Sequence, residues 1–402
     1  MRPFRYLISL EEAMSLMLSK VEPIKRVEKV GIDEAVGRVL AEDIVACIDI
    51  PSFDRAAMDG YAVKAKDTFD ASQYSPAKFK LVAELSPEQD PSLEVGEMEC
   101  VRVATGCKIP RGADSVVMLE HTEPSGEHVL VYRPVHPWEN VSKRGSDIGR
   151  GTKPLRSGDF LTPARVGVLA ALGRSEVLVL ERPRVAVVPT GDELVELGRP
   201  LDGAKVYDVN SHTVGAVVRE NGCVPVVFPI TPDDEAGLLE ALKRALEFDM
   251  VVVTGGSSVG AEDLMGKVLE SLGEVLFHGI QIKPGKPTVC AVAHGKLILG
   301  MPGHPTSCLS NSYLMLVALC RRLAGLPEKH ATPLRARLSR RVVSTLGRKF
   351  FLTVKLEGGL ASPVFKESSA ITSMADADGY VVIPENADVV EAGDEVEVYS
   401  FL

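Results

Sequence analysis

The sequence predicts an α/β multidomain protein built around a three-layer domain with a mostly parallel sheet and flanked by β-rich units. Three observations predict this. Strand-like and helix-like runs alternate over 181–326, the pattern of a parallel sheet with helices on both faces. Short β-like runs separated by Pro, Gly and Asp clusters fill 51–138 and 331–402. The 402 residues also exceed one ordinary domain, at roughly 100–200 residues each.

The elements follow in chain order. Ser9-Leu10-Glu11-Glu12 forms a capping box ahead of Ala13, Leu16 and Met17 at helical spacing, and a second helix is expected over Asp33–Asp43. After Pro51 come the β-like runs Phe79–Ala83, Cys100–Ala104, Ser115–Glu120 and His128–Arg133. Thr162-Pro163 then starts a helix that Gly173 stops. Residues 1–50 and 139–180 are therefore expected to form one domain carrying 51–138 as a β-rich insertion. The α/β domain spans 181–327. Strands are expected at Arg184–Val188, Val224–Ile230, Met250–Thr254, Val275–Phe277, Thr288–Val292 and Lys296–Leu299. Helices are expected at Ser211–Asn221, Asp233–Leu246, Glu262–Leu272 and Pro305–Leu323. Residues 328–402 read as a small C-terminal β-sandwich or barrel.

Composition excludes several classes. The 45 basic and 55 acidic residues leave a net charge of −10, so the bulk basic footprint of a nucleic-acid binder is missing. Seven cysteines without a Cys-x-x-Cys pair do not form a secreted disulfide framework. No signal-peptide core or membrane-length apolar run occurs, and a cytoplasmic protein is expected. Eight scattered histidines show no zinc-hydrolase spacing, and neither a Walker loop nor a Gly-x-Ser-x-Gly elbow is found.

Ligands of open α/β sheets bind outside the carboxyl ends of the strands. Four loops fall there: Pro189–Glu193, Asp208–Ser211, Thr254–Gly260 with Glu262 and Asp263 following, and Gly300–Ser307. The last two run from strand to helix. Gly255, Gly256, Ser257 and Ser258 in one, and Pro302, Gly303, Pro305 and Ser307 in the other, either cradle an anion with free amides or simply make tight capped turns. Lys283-Pro284-Gly285-Lys286-Pro287 holds two ammonium groups in a stiff loop, suited to one anion or to solvent. Asp192, Glu193, Asp208, Asp233, Asp234, Glu262 and Asp263 crowd the same strand ends. They serve either a divalent cation beside phosphate or the helix dipoles. His304 is a structural donor or a catalytic group.

PSFDRAAMDGYAV (51–63), TGCKIPRGADSVVMLE (105–120), KRGSDIGRG (143–151), PTGDEL (189–194), YDVNS (207–211), TGGSSVGAEDL (254–264), IKPGKP (282–287) and GMPGHPTS (300–307) stand in one order along nearly the whole chain. Together these strings resemble the molybdopterin molybdenumtransferase family and are similar to the C-terminal domain of gephyrin. The resemblance implies four domains: an elongated, partly helical domain (1–50 and 139–180), the insertion, the molybdopterin-binding α/β domain and a C-terminal β-barrel. It implies a homodimer, and insertion of molybdate into adenylylated molybdopterin with magnesium-dependent release of AMP.

It further implies that Asp59 and Thr105 act from the partner subunit beside Glu193, Asp233 and Asp263, with Asp233 and Asp263 on magnesium. Lys283 and Lys286, the Gly255–Ser258 and 303–307 loops, Arg348, and Ser369 or Ser373 would bind substrate. Ser257 stands where many relatives have valine, and His304 where asparagine is commoner, which leaves tungstate open. The alternatives are a molybdopterin adenylyltransferase, an enzyme that could also be a partner, and a non-enzymatic molybdopterin-binding scaffold.

Overall fold

The structure is a computed structural model that describes residues 7–255, 261–329 and 332–401, without the side chains of 261–263. The chain forms two compact units, one of Met1–Glu28, Gly37–Val39 and Val179–Leu402, the other of Lys29–Val36 and Leu40–Leu178.

The larger unit begins with α1 (Leu10–Lys20), started as expected by the Ser9 hydroxyl accepting from the Glu12 amide at 3.1 Å. Its α/β body then runs β1 (Arg184–Thr190), α2 (Asn210–Glu220), β2 (Val224–Val227), α3 (Glu235–Ala245), β3 (Met250–Gly255), α4 (Ala261–Leu272), β4 (Glu274–His278), β5 (Val289–Ala293) and β6 (Lys296–Met301). It closes with a long helix α5 over 305–323, which contains a π turn at Ser312–Leu316. The sheet order is β2-β1-β3-β6-β5-β4. Pairing is parallel from β2 to β6, and β5 runs against both of its neighbours.

Alternation along each strand splits the core in two. Val185, Val187, Met250, Val252, Leu297 and Leu299 face α1, α2 and α5; Ala186, Val188, Val251, Val253 and Ile298 face α3 and α4. At roughly 1.5–3 kcal/mol for each large apolar side chain fully buried, these faces drive the assembly. At the amino end of the sheet Arg26 clamps Asp249, with Nη1 and Nη2 donating at 2.9 and 2.8 Å. The Arg184 amide donates to the same carboxylate at 2.7 Å.

A closed barrel follows, of β7 (Leu334–Leu338), β8 (Lys349–Glu357), β9 (Leu360–Pro363), β10 (Gly379–Ile383) and β11 (Glu395–Ser400), in the order β8-β9-β7-β11-β10 and back to β8. Phe350, Leu352, Val354, Val381, Ile383 and Val398 fill it. Aromatic rings on its outer wall tie it to α5: Phe351 stacks on Tyr380 at 4.4 Å, and Phe401 packs on Tyr313 at 4.7 Å. The pair Ile282–Lys283 also adds alongside Lys349–Phe350 of β8.

The smaller unit holds a six-stranded sheet ordered Ser115–Met118, Gly60–Val63, Glu99–Val103, Ala77–Leu85, His128–Val131, Thr122–Ser125. It also contains the helix Pro163–Ala171, capped by Thr162 and followed by Gly173 at φ +73°.

Three expectations need correction. The helix over Asp33–Asp43 does not form. A 3-10 turn at Ile32–Glu34 is followed by Gly37 in the left-handed region, and Leu40 and Ala41 donate to Asp159 and Leu178 instead of to a helix. Gly60–Val63 is a fully buried strand where none is expected from the sequence. A Cβ on Gly60 would lie 2.0 Å from the Val117 carbonyl oxygen, so glycine is required where the two strands meet. The short strand β9 was not expected, and it is the strand that closes the barrel.

Candidate active site

The strand registers align the loops. Pro189 pairs with Thr254, Thr254 with Met301, Gly300 with Val289, and Val289 with His278. Loops leaving β1, β3, β4 and β6 therefore emerge along one carboxyl edge of the sheet.

At the β1 end the chain must pass very close to β3. Gly255 has φ +114°, and a Cβ there would meet the Thr190 carbonyl oxygen at 1.9 Å. The Thr190 hydroxyl donates to Asp233 Oδ1 at 2.6 Å, and the Asp233 amide donates to Asp192 Oδ1 at 3.3 Å. A hydroxyl at the end of β1 thus orients a carboxylate on the loop after β2, and a second carboxylate, Asp192, lies on the loop after β1. Lys205 Nζ donates to the Asp192 carbonyl. Glu193 is exposed and its carbonyl accepts from Val206 at 2.9 Å. Asp234 has the helix role: it caps α3 by accepting from Gly237 at 2.8 Å. Asp208 likewise accepts from the amide (3.0 Å) and hydroxyl of Ser211. Gly256, Ser257, Ser258 and the Asp263 side chain lie outside the described residues.

Lys283 and Lys286 sit half-buried in the connection from β4 to β5. Lys283 Nζ lies 5.0 Å from the centre of the Phe350 ring, which leaves the ammonium at the junction with the barrel. Arg348, half-buried, immediately precedes the Lys349–Phe350 pair that docks on Ile282–Lys283.

At the β6 end, Pro302 is buried and Pro305 opens α5, with Thr306 and Ser307 buried behind it. Asn210 Nδ2 donates to the Gly303 carbonyl at 2.7 Å. The segment 368–370 crosses this turn. Thr306 donates from its amide to Ser368 (3.0 Å) and from its hydroxyl to Ala370 (2.9 Å), while His304 Nδ1 lies 3.0 Å from the Ser368 hydroxyl. Ser369 is exposed between these two anchors. Ser373 is fully buried and accepts from the Lys366 amide at 3.1 Å.

In the smaller unit, Asp59 and Thr105 meet as a pair. Asp59 Oδ1 accepts from the Thr105 amide at 2.7 Å and from its hydroxyl at 2.8 Å. These two bonds, the amide first, hold the Asp59 carboxyl below its ordinary range. The 143–151 motif is pinned to 49–54: Asp49 accepts from Arg150 N and Arg144 Nε, both at 2.7 Å, and Asp54 accepts from Arg144 N at 2.8 Å.

Three family profiles match in this order: MoeA N-terminal region (domain I and II) over 8–173, probable molybdopterin binding domain over 186–322, and MoeA C-terminal region (domain IV) over 335–401. A molybdopterin molybdenumtransferase of Haemophilus influenzae is 32% identical over 404 residues, covering 98% of this chain and 99% of that one. The chain belongs to the molybdopterin molybdenumtransferase family. Two crystal structures, each of a molybdopterin biosynthesis MoeA protein from Pyrococcus horikoshii, are similar throughout. They are 39% and 34% identical, cover 98% of this chain and 99% and 100% of theirs, and have TM-scores of 0.84 and 0.85. As a molybdopterin molybdenumtransferase family member, the chain has the multidomain fold with an α/β domain and C-terminal barrel that the motifs implied.

Several residues that shape the edge were given no role from sequence: Thr190, which lies within the Pro189–Glu193 loop, Thr288, Asn311 and Ser368. Asn311 carries the clearest signal, an amide flanked by Ser310 and Ser312 in a helix whose next turn, Leu314–Leu316, is apolar.

Proposed function

We propose that this chain inserts molybdate into adenylylated molybdopterin, cleaving the phosphoanhydride and releasing AMP as the last step of molybdenum cofactor synthesis. The observation that carries this reading is the shared carboxyl edge. An oriented acid (Asp233), a two-lysine loop and the turn into α5 leave one side of one sheet, as an oxyanion and a pyrophosphate together require.

Lys283 and Lys286 offset the charge of the oxometalate, and the turn around Gly303–Ser307 and the Gly255–Ser258 loop receive the phosphates and pterin. Thr190 holds Asp233 in one rotamer so that no reorganisation is needed during transfer. Arg348 and Ser369, beside the lysine loop and the 303–307 turn respectively, extend the oxyanion site. The residues present fit magnesium. Magnesium commonly takes one or two carboxylates with phosphates and water, and Asp233, fixed by the Thr190 hydroxyl, offers one such carboxylate. Asp233 and Asp263 would hold it, and when bound it neutralises charge on the pyrophosphate. Glu193 supports the same acidic rim.

In this reading the protein works as a homodimer in the cytoplasm, with the partner subunit's Asp59 and the partner subunit's Thr105 completing the cleft. Seven free cysteines suit a reducing compartment, and among the described residues no helix is long and apolar enough to cross a membrane. The test is to incubate pure protein with adenylylated molybdopterin, magnesium and molybdate, or tungstate in a parallel arm, and to measure AMP. Release with molybdate supports the reading. No release above a heat-denatured control with either oxyanion overturns it.

A further inference from the structure

The lysine loop is gripped from beneath by a residue that none of the quoted motifs contains. Residues 279–288 are closed by backbone bonds: Gly279 N donates to Thr288 O at 2.8 Å, and Ile280 N and Thr288 N both donate to Lys286 O, at 3.0 and 2.9 Å. The corner at Gly285, between the two lysines, is held by side chains. The Thr288 hydroxyl donates to Gly285 O at 2.9 Å. Asn311 Nδ2, from α5, donates to Gly285 O at 3.0 Å and to Thr288 Oγ1 at 2.7 Å.

This triangle has one consistent assignment. The Gly285 carbonyl can only accept, so the nitrogen of Asn311 faces it. The Thr288 hydroxyl has given its proton to Gly285 and therefore accepts from Asn311. The Asn311 amide nitrogen is then used on the loop, with both acceptors close together on one side of it. Its Oδ1 is left without a partner among the described residues, although the residue is fully buried. A buried amide with an idle acceptor is less favourable to the helix than an apolar side chain. What it contributes is contact with the loop. Gly285, at φ +106°, lies so close that a Cβ would meet both Asn311 Nδ2 and Oδ1 at 2.5 Å.

We infer that Asn311 is a positioning residue for oxyanion binding, acting with Thr288 to fix the backbone between Lys283 and Lys286. The inference rests on the two lysines receiving the oxyanion, as proposed above. The same helix α5 anchors 368–370 through Thr306, so one rigid element spaces the lysine loop from the 303–307 turn.

Molybdate binding by equilibrium dialysis, with KM and kcat for AMP release, is measured on the full chain and on Asn311→Leu, Thr288→Val, Thr288→Ser and Lys286→Ala. Asn311→Leu and Thr288→Val are expected to weaken molybdate binding and raise its KM about tenfold (about 1.4 kcal/mol) with little change in kcat. Thr288→Ser, which keeps the hydroxyl, is expected to restore wild-type values. A purely structural role would lower the melting midpoint without that split. Should Asn311→Leu fail to fold, the Thr288 pair decides by the same criterion. Wild-type molybdate binding in Asn311→Leu and Thr288→Val, or a loss confined to kcat, overturns the inference. If Lys286→Ala alone loses molybdate, the functional reading survives that result. No molybdate binding by the wild type overturns both.

Discussion

Replacing Gly255 with alanine tests whether the carboxyl edge depends on the close approach of β3 to β1. The new Cβ would sit 1.9 Å from the Thr190 carbonyl oxygen and 3.3 Å from its Cγ2, at a backbone φ of +114°. Adopting such a φ without glycine costs about 1–3 kcal/mol. Forcing a methyl against backbone in a packed strand pair adds about 1–3 kcal/mol. At about 2–4 °C per kcal/mol for a unit of this size, the melting midpoint should fall on the order of 10 °C. The control is Gly295→Ala in the β5–β6 turn, where φ is +73° but nothing lies within 4 Å. It should cost about 1–2 kcal/mol. The two variants are melted side by side and assayed for AMP release. Relief of the clash must move Thr190, and with it Asp233, so turnover should fall at least about tenfold in Gly255→Ala, since a misplacement near 1 Å suffices for larger losses. Equal melting of the two variants with full turnover in both would refute the reasoning.

Thr190→Val removes the hydroxyl that holds Asp233 at 2.6 Å. Turnover should fall about tenfold, the low end for a bond to a charged group, and Asp233→Asn should fall further, both read as AMP release at saturating magnesium. Asp59→Asn and Thr105→Val alter an exposed pair, so melting midpoints should stay within about 2 °C while AMP release is lost; a large drop in midpoint would instead mark a folding role. Burial pushes the Asp249 carboxyl up, but the Arg26 guanidinium and the Arg184 amide outweigh it and hold the group below its ordinary range. A depressed carboxyl stabilises the fold above its unfolded pKa, about 4, and that stability is lost as pH falls through the folded value. Arg26→Met should cost about 1 kcal/mol at neutral pH, and because the carboxyl then loses most of its depression that cost should shrink as pH falls below about 4, measured by thermal melts of both proteins between about pH 3 and 8.

What could be read from sequence was what local chemistry decides. Ser9 and Thr162 cap the helices they precede because a hydroxyl at that position satisfies an orphan amide whatever surrounds it. The α/β alternation was legible because β1 and β3 are buried on both faces and their sequences are continuous apolar runs. Gly60–Val63 was not legible, because only Tyr61 and Val63 favour a strand and four residues buried on both faces show no polar alternation. β9 follows Gly358-Gly359 and ends at Pro363, so its neighbours read as a turn. At the edge itself, the loops were visible from their glycines and lysines. The residues that set those loops were not. Thr190 reaches Asp233 across 43 positions and Asn311 reaches Gly285 across 26, contacts that exist only once the sheet and α5 are packed.

The reversal of β5 shapes what this edge can become. A parallel neighbour after β4 would need a crossover helix, carrying the chain over one face and back to the far end of the sheet. Turning back at once instead leaves a helix-free connection of about ten residues, held by α5 and by the barrel, where the two ammonium groups sit. The side chains at 283 and 286 can change while the Gly285 corner stays on α5, so preference between oxyanions of similar size is a property a lineage could retune at those two positions while the rest of the scaffold stays unaltered.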